Sequence, residues 1–472
     1  MDPLPFHAPS LLPQPSDTAL KHHFLGRNLK DVQAPAVVLD AAVVRRNCKL
    51  MLDTAKQLDV GFRAHVKTHK TLQLTKLQVG EDSKSVKLIA STVAEIENLL
   101  PWLLECKKAG KEVNVIYGLP LSPSSLPRLS TLAHHLGPGT ISLFADHPSH
   151  IALLNTLPPN TWPGRIPVLI KIDTGYHRAG VSPGQPQLTA LAAALAASPR
   201  ATPAGFYSHM GHSYATSSPQ EALRALGQEL EGLEAGARAF LASAGAPGAD
   251  AKKPLLSLGA TPTATAAQNL LHDAGGGPAS AEYRSLLSRV SREFSVELHA
   301  GVYPVLDLQQ LATRARPAES LAQPGQSLLS LRDLGLRALV EVVSVYEDRE
   351  KPEAMIAAGS IALGREPCKS YGGWGVVSGW GWEGEGGNGG VFEAEGERRG
   401  WVVGRISQEH GVLVWEGERE GMRELRVGEK LLVWPNHACM CGPGFGWYLV
   451  VDSEAEEGPD VVVDVWTRWR GW

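Results

Sequence analysis

The sequence predicts an α/β protein: a (β/α)8, TIM-like barrel followed by a C-terminal all-β domain. Three observations carry this expectation. Eight short apolar segments alternate with stretches of helical character, at about 62–67, 86–91, 113–118, 140–145, 166–173, 203–209, 254–259 and 294–300. That is the rhythm of consecutive parallel βα units. No glycine-rich phosphate loop follows the first segment, as an open doubly wound sheet would require. After about residue 330 the helical periodicity fades into short runs of strand character separated by turns.

In chain order, residues 1–30 read as an N-terminal arm. Its first part is rich in proline and lacks a basic-then-apolar signal pattern. Ala34-Pro35-Ala36-Val37-Val38 then leads through Leu39 and Asp40 into a helix of about 41–58, and residues 31–330 are assigned to the barrel domain. The clearest helix opens at Ser218-Pro219-Gln220-Glu221, a capping box with proline at the first helical position. Leu223, Leu226, Leu230, Leu233 and Ala237 follow at helical spacing, and Gly245 and Pro247 end it. Residues 331–472 form the β-domain, with strands expected at 340–346, 356–362, 401–406, 411–415, 429–434 and 448–451. Within it, residues 372–400 are dense in Gly, Trp and Glu and read as a surface insertion. The aromatic, basic tail from Trp466 to Trp472 is expected to pack on the β-domain.

Composition narrows the function. A chain of 472 residues predicts two or three domains. A formal charge of -4 gives no polyanion-binding surface, so nucleic acid is not an expected partner. Five scattered cysteines make no disulfide framework and suit a reducing compartment. No run approaches the roughly 18 apolar residues of a membrane span. The expectation is a soluble, cytoplasmic protein without a membrane partner.

Chemistry-bearing residues gather where the barrel strands should end, which is where (β/α)8 barrels place their sites. Arg63-Ala64-His65-Val66-Lys67-Thr68-His69-Lys70 reads as a strand running into a loop. Alternation puts His65, Lys67 and His69 on one face, with Val66 and Thr68 on the other. A lysine set between imidazoles can serve as a nucleophile, Schiff-base former or proton carrier, or it is simply a solvated strand end. In Ser257-Leu258-Gly259-Ala260-Thr261-Pro262-Thr263, Gly259 permits close backbone approach, and the following helix start offers N–H groups to a phosphate. An ordinary capped turn explains the same residues. Lys171-Ile172-Asp173-Thr174-Gly175-Tyr176-His177-Arg178 ends another strand, and Arg178 can reach an anionic oxygen, with a structural turn as the alternative. Phe206-Tyr207-Ser208-His209-Met210-Gly211-His212-Ser213-Tyr214 concentrates polar aromatics, and Tyr207 and His209 should share a face. In the β-domain, Trp434-Pro435-Asn436-His437-Ala438-Cys439-Met440-Cys441 sets imidazole and thiol two residues apart. Such a pair suits zinc and, with only two or three protein ligands, would leave positions open for substrate, with a buried thiol at Cys439 as the alternative. Cys441 is a third donor or a bystander. Ser407-Gln408-Glu409-His410-Gly411 is a polar turn.

Taken together, His-Val-Lys-Thr-His-Lys, Asp-Thr-Gly-Tyr-His-Arg-Ala-Gly, Ser-x-Gly-x-Thr-Pro and the late Pro-Asn-His-Ala-Cys resemble the eukaryotic D-serine dehydratases. These are alanine-racemase-like (fold type III) pyridoxal 5'-phosphate enzymes. The resemblance spans roughly residues 30–452 and implies a barrel with a C-terminal β-domain, pyridoxal 5'-phosphate and Zn2+ as cofactors, and conversion of D-serine to pyruvate and ammonia. It implies Lys67 as the Schiff-base lysine and Cα base, with Lys70 as its rival. Gly259, Ala260 and Thr261 would hold the cofactor phosphate. Arg178, Tyr207, His209 and Tyr214 would surround the ring, and His437 and Cys439 would bind zinc. The related D-threonine aldolases, which carry an aspartate where this chain has Cys439, are the alternative. A non-catalytic pyridoxal phosphate carrier is a further one. The substrate would be a small D-amino acid, D-serine or also D-threonine, and the resemblance implies a homodimer.

Overall fold

A computed structural model describes residues 8–244, 252–271, 277–317, 329–382, 390–394, 396 and 398–472. Among these, β1 (Ala36–Asp40) precedes eight strands that close into a parallel barrel: β2 (Gly61–His65), β3 (Ser85–Ala90), β4 (Glu112–Pro120), β5 (Ile141–Ala145), β6 (Ile166–Lys171), β7 (Ala201–Tyr207), β8 (Leu255–Leu258) and β9 (Ser295–Ala300). Each of the eight apolar segments is a barrel strand. The rest are β10 (Leu336–Tyr346), β11 (Glu353–Ile356), β12 (Gly375–Val377), β13 (Gly400–Ile406), β14 (Gly411–Glu416), β15 (Lys430–Pro435), β16 (Trp447–Val451) and β17 (Asp464–Thr467). With β1 they form a second sheet in the order β11-β14-β13-β12-β15-β10-β1-β16-β17, and β11 also pairs with β10.

β1 therefore departs from the expected grouping of residues 31–330. It runs antiparallel to β10 and parallel to β16. All five of its residues are buried. A strand covered on both faces can sit only in the middle of a sheet, and the barrel is already closed without it. The N-terminal arm is also more ordered than a loose tail. Asp17–Phe24 is a helix, and its Leu20 and Phe24 join the apolar cluster around β1 and β16. The expected strand at 356–362 gives way to a strand ending at Ile356 and a short helix, Ser360–Leu363. The glycine- and tryptophan-rich stretch supplies β12, which pairs with β13 and β15. Its residues 383–389, 395 and 397 lie outside those described. The tail forms β17 on the edge beside β16. Trp466 is buried in the β-domain core and Trp469 against the barrel.

Alternation along the barrel strands sorts the side chains. Val86, Leu88 and Ala90 of β3 face the surrounding helices. Ile89, Ile116, Phe144, Leu169 and Tyr207 fill the interior. The helix Pro219–Ala244 buries Leu223, Leu226, Leu230, Leu233 and Ala237 against the barrel, as its spacing requires. Ser218 caps it by accepting from the Glu221 amide at 3.2 Å. Glu221 reaches back to the amide of Ser217, one residue earlier than a reciprocal box would have it. Gly245 and Pro247, expected to end this helix, lie outside the described residues.

One interior layer is ionic. Arg63 Nε donates to Glu297 Oε1 at 2.6 Å, Lys87 lies 3.5 Å from the same carboxylate, and Ser257 donates to it at 3.0 Å. Burial alone would raise the Glu297 pKa, but Arg63 and then Lys87 hold it below its ordinary value. Removing one member of such a pair strands the other charge in a dry interior. Glu297→Ala is therefore expected to destabilise the fold by about 3–5 kcal/mol, read as a lower midpoint in urea unfolding. A change below about 1 kcal/mol would mean that water reaches Arg63.

Candidate active site

β2 stops at His65, and residues 67–69 form a turn. The alternation assumed from sequence therefore ends before Lys67. Lys67 is half-buried at the mouth of the barrel, and its ammonium acts electrostatically on His65, His209, His299, Lys171 and Cys439. His69 does not join it. Its ring is buried against Gln78 (2.9 Å) and Thr71 (3.2 Å), and burial pushes its pKa down to about 3. Thr68, expected on the opposite face, has its hydroxyl 3.1 Å from the Cys439 sulfur. Lys70 is engaged elsewhere, 3.0 Å from the buried carboxylate of Glu95.

The strand-end motifs surround Lys67. Tyr207 stacks on His299 with ring centroids 4.3 Å apart and planes 6° from parallel, and the His209 ring lies 6.2 Å from that of His299. Tyr207 and His209 thus share a face, as alternation requires. Tyr207 sits deeper than expected, within the apolar interior beside Phe144 at 4.5 Å. His209 Nδ1 is 2.9 Å from the Gly259 carbonyl. Burial and then the Lys67 charge push the His209 pKa down to about 3, so this ring is neutral. Arg178 is exposed at the rim, over the ring of Tyr176 at 5.2 Å. Asp173 is a turn-former: it accepts from the amides of Gly175 and His177 and from the His177 ring.

At Gly259, φ is +136°, and a Cβ there would lie 2.5 Å from the His299 carbonyl. The close approach that demands glycine is with β9 itself. Ala260 donates its amide to the Thr263 hydroxyl at 2.9 Å, and Thr261 Oγ1 accepts from the Val302 amide at 3.1 Å. Tyr214 lies beside Thr261 and Gln310, and burial raises its pKa.

The β-domain closes the other side. Asp307, which follows β9, accepts from the Ala438 amide at 2.9 Å, and the Gln309 amide donates to the Asn436 carbonyl at 3.1 Å. These bonds stitch the His437 segment onto the barrel within one chain. His437 stands just before a short helix, Ala438–Cys441, so the segment is not extended as alternation would have it. His437 and Cys439 nonetheless lie side by side. Burial would lower the His437 pKa, but Cys439 and then Asp307 raise it to about 9. Burial would raise that of Cys439, but His437 and then Lys67 lower it. His437 Nδ1 is buried with no hydrogen-bond partner. An imidazole and a thiolate with an unused nitrogen are donors that suit zinc. The same helical turn carries Cys441 into the apolar core, where burial raises its pKa to about 12. Among the described residues no group of three or more His, Cys, Asp or Glu side chains converges as a metal site.

Several contributors escaped the sequence. His299 and Glu297 alternate with Val296 and Leu298 in β9, so polar residues in a strand pointing into the barrel were the available signal. Lys171 is buried over the rings of Phe144 (4.9 Å) and Tyr207 (5.0 Å), and burial lowers its pKa to about 8. Glu229, raised by burial to about 7, accepts from Ser208 at 3.0 Å and faces the amides of Gly259 and Met210, beneath two of the site's loops.

Comparison with known proteins places the fold and the family. Residues 39–273 match the family model "Alanine racemase, N-terminal domain", and residues 335–451 match "Putative serine dehydratase domain". The chain is 33% identical over 463 residues to a D-serine dehydratase of Schizosaccharomyces pombe, covering 96% of this chain and 95% of that one. It is 30% identical over 467 residues to a D-serine dehydratase of Saccharomyces cerevisiae, covering 95% and 98%. The solved D-threo-3-hydroxyaspartate dehydratase from Delftia sp. HT23 superposes with a TM-score of 0.69 at 25% identity, covering 94% of this chain and 100% of that one. A metal-free form of a mutant of that enzyme has been solved too, with the same TM-score of 0.69. On likeness over nearly its whole length, with the barrel and β-domain in the same order, the chain belongs to the eukaryotic D-serine dehydratase family of the alanine-racemase-like fold.

Proposed function

We propose that the protein is a pyridoxal-phosphate- and zinc-dependent ammonia-lyase that converts D-serine to pyruvate and ammonia. The observation that carries this reading is the 3.1 Å contact between Thr68 and Cys439, which brings the Lys67 turn against the His437–Cys439 pair. When bound, the cofactor acidifies the Cα proton of the amino acid, and the metal stabilises charge developing on the departing β-hydroxyl.

Lys67 would be the covalent attachment point and, once displaced by the substrate amine, the base that takes the Cα proton. Its rival Lys70 already faces Glu95. Gly259, Ala260 and Thr261 would form the phosphate turn, with Tyr214 next to it. Arg178 at the rim offers a cation to a substrate carboxylate. His209, held neutral, would border the ring without adding charge. His437 and Cys439 would hold the metal, and Asp307 would fix their segment. The metal pair and the base thus lie on different domains, so one group can assist the leaving oxygen while the other holds the proton.

Incubation with D-serine is expected to release pyruvate, and L-serine is expected to release at least about 100-fold less, because a single positioned base typically contributes about that factor or more. Equal rates on the two enantiomers would overturn the reading. Glycine and an aldehyde formed from D-threonine, without pyruvate from D-serine, would assign the aldolase reaction instead.

A further inference from the structure

We propose that His299 presents a bare ring nitrogen, Nε2, to the cofactor and accepts a hydrogen bond from the cofactor's protonated ring nitrogen. This rests on the pyridoxal phosphate reading of the site and adds a residue and a protonation state to it.

The inference begins at the barrel floor. Glu297 is bound to Arg63 at 2.6 Å and is ionised, so it can only accept hydrogen bonds. Ser257 Oγ lies 3.0 Å from Glu297 Oε1, and its hydroxyl proton must therefore point there. The same oxygen is 3.1 Å from His299 Nδ1. Having given its proton to Glu297, Ser257 offers only a lone pair, and Nδ1 must carry the proton. Burial, reinforced by His209, Lys171 and Arg63, pushes the His299 pKa far below its usual value, so the ring is neutral. A neutral imidazole protonated on Nδ1 has an unprotonated Nε2. That atom is buried, in a side chain only 2% exposed, and has no hydrogen-bond partner.

A buried acceptor without a donor is costly to keep. Arg63, the nearby cation on the floor side, does not supply one: all three of its side-chain nitrogens donate to Glu297, Leu88 or Asn114. Tyr207 covers one face of the imidazole, and His209 lies nearly parallel at 6.2 Å. The remaining neighbours that sense His299 are those of the barrel mouth, Lys67, Lys171 and His65. Phosphate and carboxylate groups are acceptors at neutral pH and would meet a lone pair unfavourably. The substrate amine is assigned to Lys67 and the β-hydroxyl to the metal pair. The donor left on the bound groups is the ring N–H. Glu297, Ser257 and His299 thus form a chain that fixes a tautomer from the ionic floor to the site, with Ser257 as a positioning residue.

Three measurements test this. In cofactor-free protein labelled with 15N-histidine, NMR is expected to show His299 protonated at Nδ1 and bare at Nε2. A proton on Nε2 would overturn the proposal. Pyridoxal 5'-phosphate titrated into cofactor-free protein is expected to bind His299→Phe about 10- to 100-fold more weakly than wild type, the range for one charged hydrogen bond. With 15N-labelled cofactor, the ring nitrogen should be protonated in wild type and unprotonated in the variant. Unchanged affinity together with an unchanged ring nitrogen would refute the assignment. Ser257→Ala keeps the imidazole but releases its tautomer, so it should weaken binding by a smaller factor, and it decides the matter should His299→Phe not fold. Failure of the underlying reading has a different signature: wild type itself would not bind pyridoxal 5'-phosphate.

Discussion

Lys67→Ala is expected to lose the absorbance of the covalently bound cofactor and to reduce D-serine elimination by more than about 10,000-fold. Two functions vanish with one side chain. The amine is the only proposed anchor for the cofactor carbonyl, and loss of a covalent catalyst and its base together exceeds the usual effect of a single general base, about 100- to 10,000-fold. The neighbour Lys70 is a sharp control. It lies three residues further along, just past the turn, but it is 3.0 Å from Glu95 Oε1. Lys70→Ala should therefore keep the covalent spectrum. Borohydride reduction followed by peptide mass spectrometry reads the result directly: the pyridoxyl group should sit on the Lys67 peptide in wild type. If it is found on Lys70, or if Lys67→Ala retains the spectrum, the assignment of the base falls with it.

Much of this geometry was legible because strand ends in a parallel barrel converge on one mouth. That rule alone groups segments far apart in the chain, around Lys67, Asp173, His209 and Gly259. The eight strands were readable because each is an apolar run between turn residues. What failed were inferences that extended a regular element past its end. Alternation puts His69 beside Lys67, but β2 stops at His65 and the chain turns. The period of a strand pairs His437 with Cys439, and the two do meet, but around the start of a short helix. β1 could not be assigned locally, because its apolar run suits a barrel strand as well as the middle of the second sheet, and only long-range pairing with β10 and β16 decides. His299 was hidden for a similar reason. Its role depends on Ser257 and Glu297 as partners, and one of those lies 42 residues away along the chain.

Removal of the metal is the second large effect, and it should separate leaving-group chemistry from cofactor binding. Chelation, or His437→Ala, is expected to lower D-serine elimination by at least about 100-fold, since Lewis-acid stabilisation of a departing oxygen is worth several kcal/mol, while the covalent spectrum persists. The two outcomes separate because the groups come from separate elements. Lys67 follows β2, whereas His437 and Cys439 follow β15 and are held by the Asp307 carboxylate through the Ala438 amide at 2.9 Å. Loss of the metal leaves that bond intact, so the segment should stay docked. His437→Ala also removes the imidazole that lowers the Cys439 pKa. In that variant the thiol should revert toward its protonated form, and added zinc should not restore activity, whereas it should do so after chelation of wild type. Elimination that survives chelation would remove the metal from the mechanism. Cys439→Asp tests the boundary with the aldolases: if Cys439 favours loss of hydroxide over Cα–Cβ cleavage, the variant should lose pyruvate formation from D-serine and gain glycine formation from D-threonine. Full dehydratase activity in that variant would show that the choice between the two reactions is made elsewhere in the site.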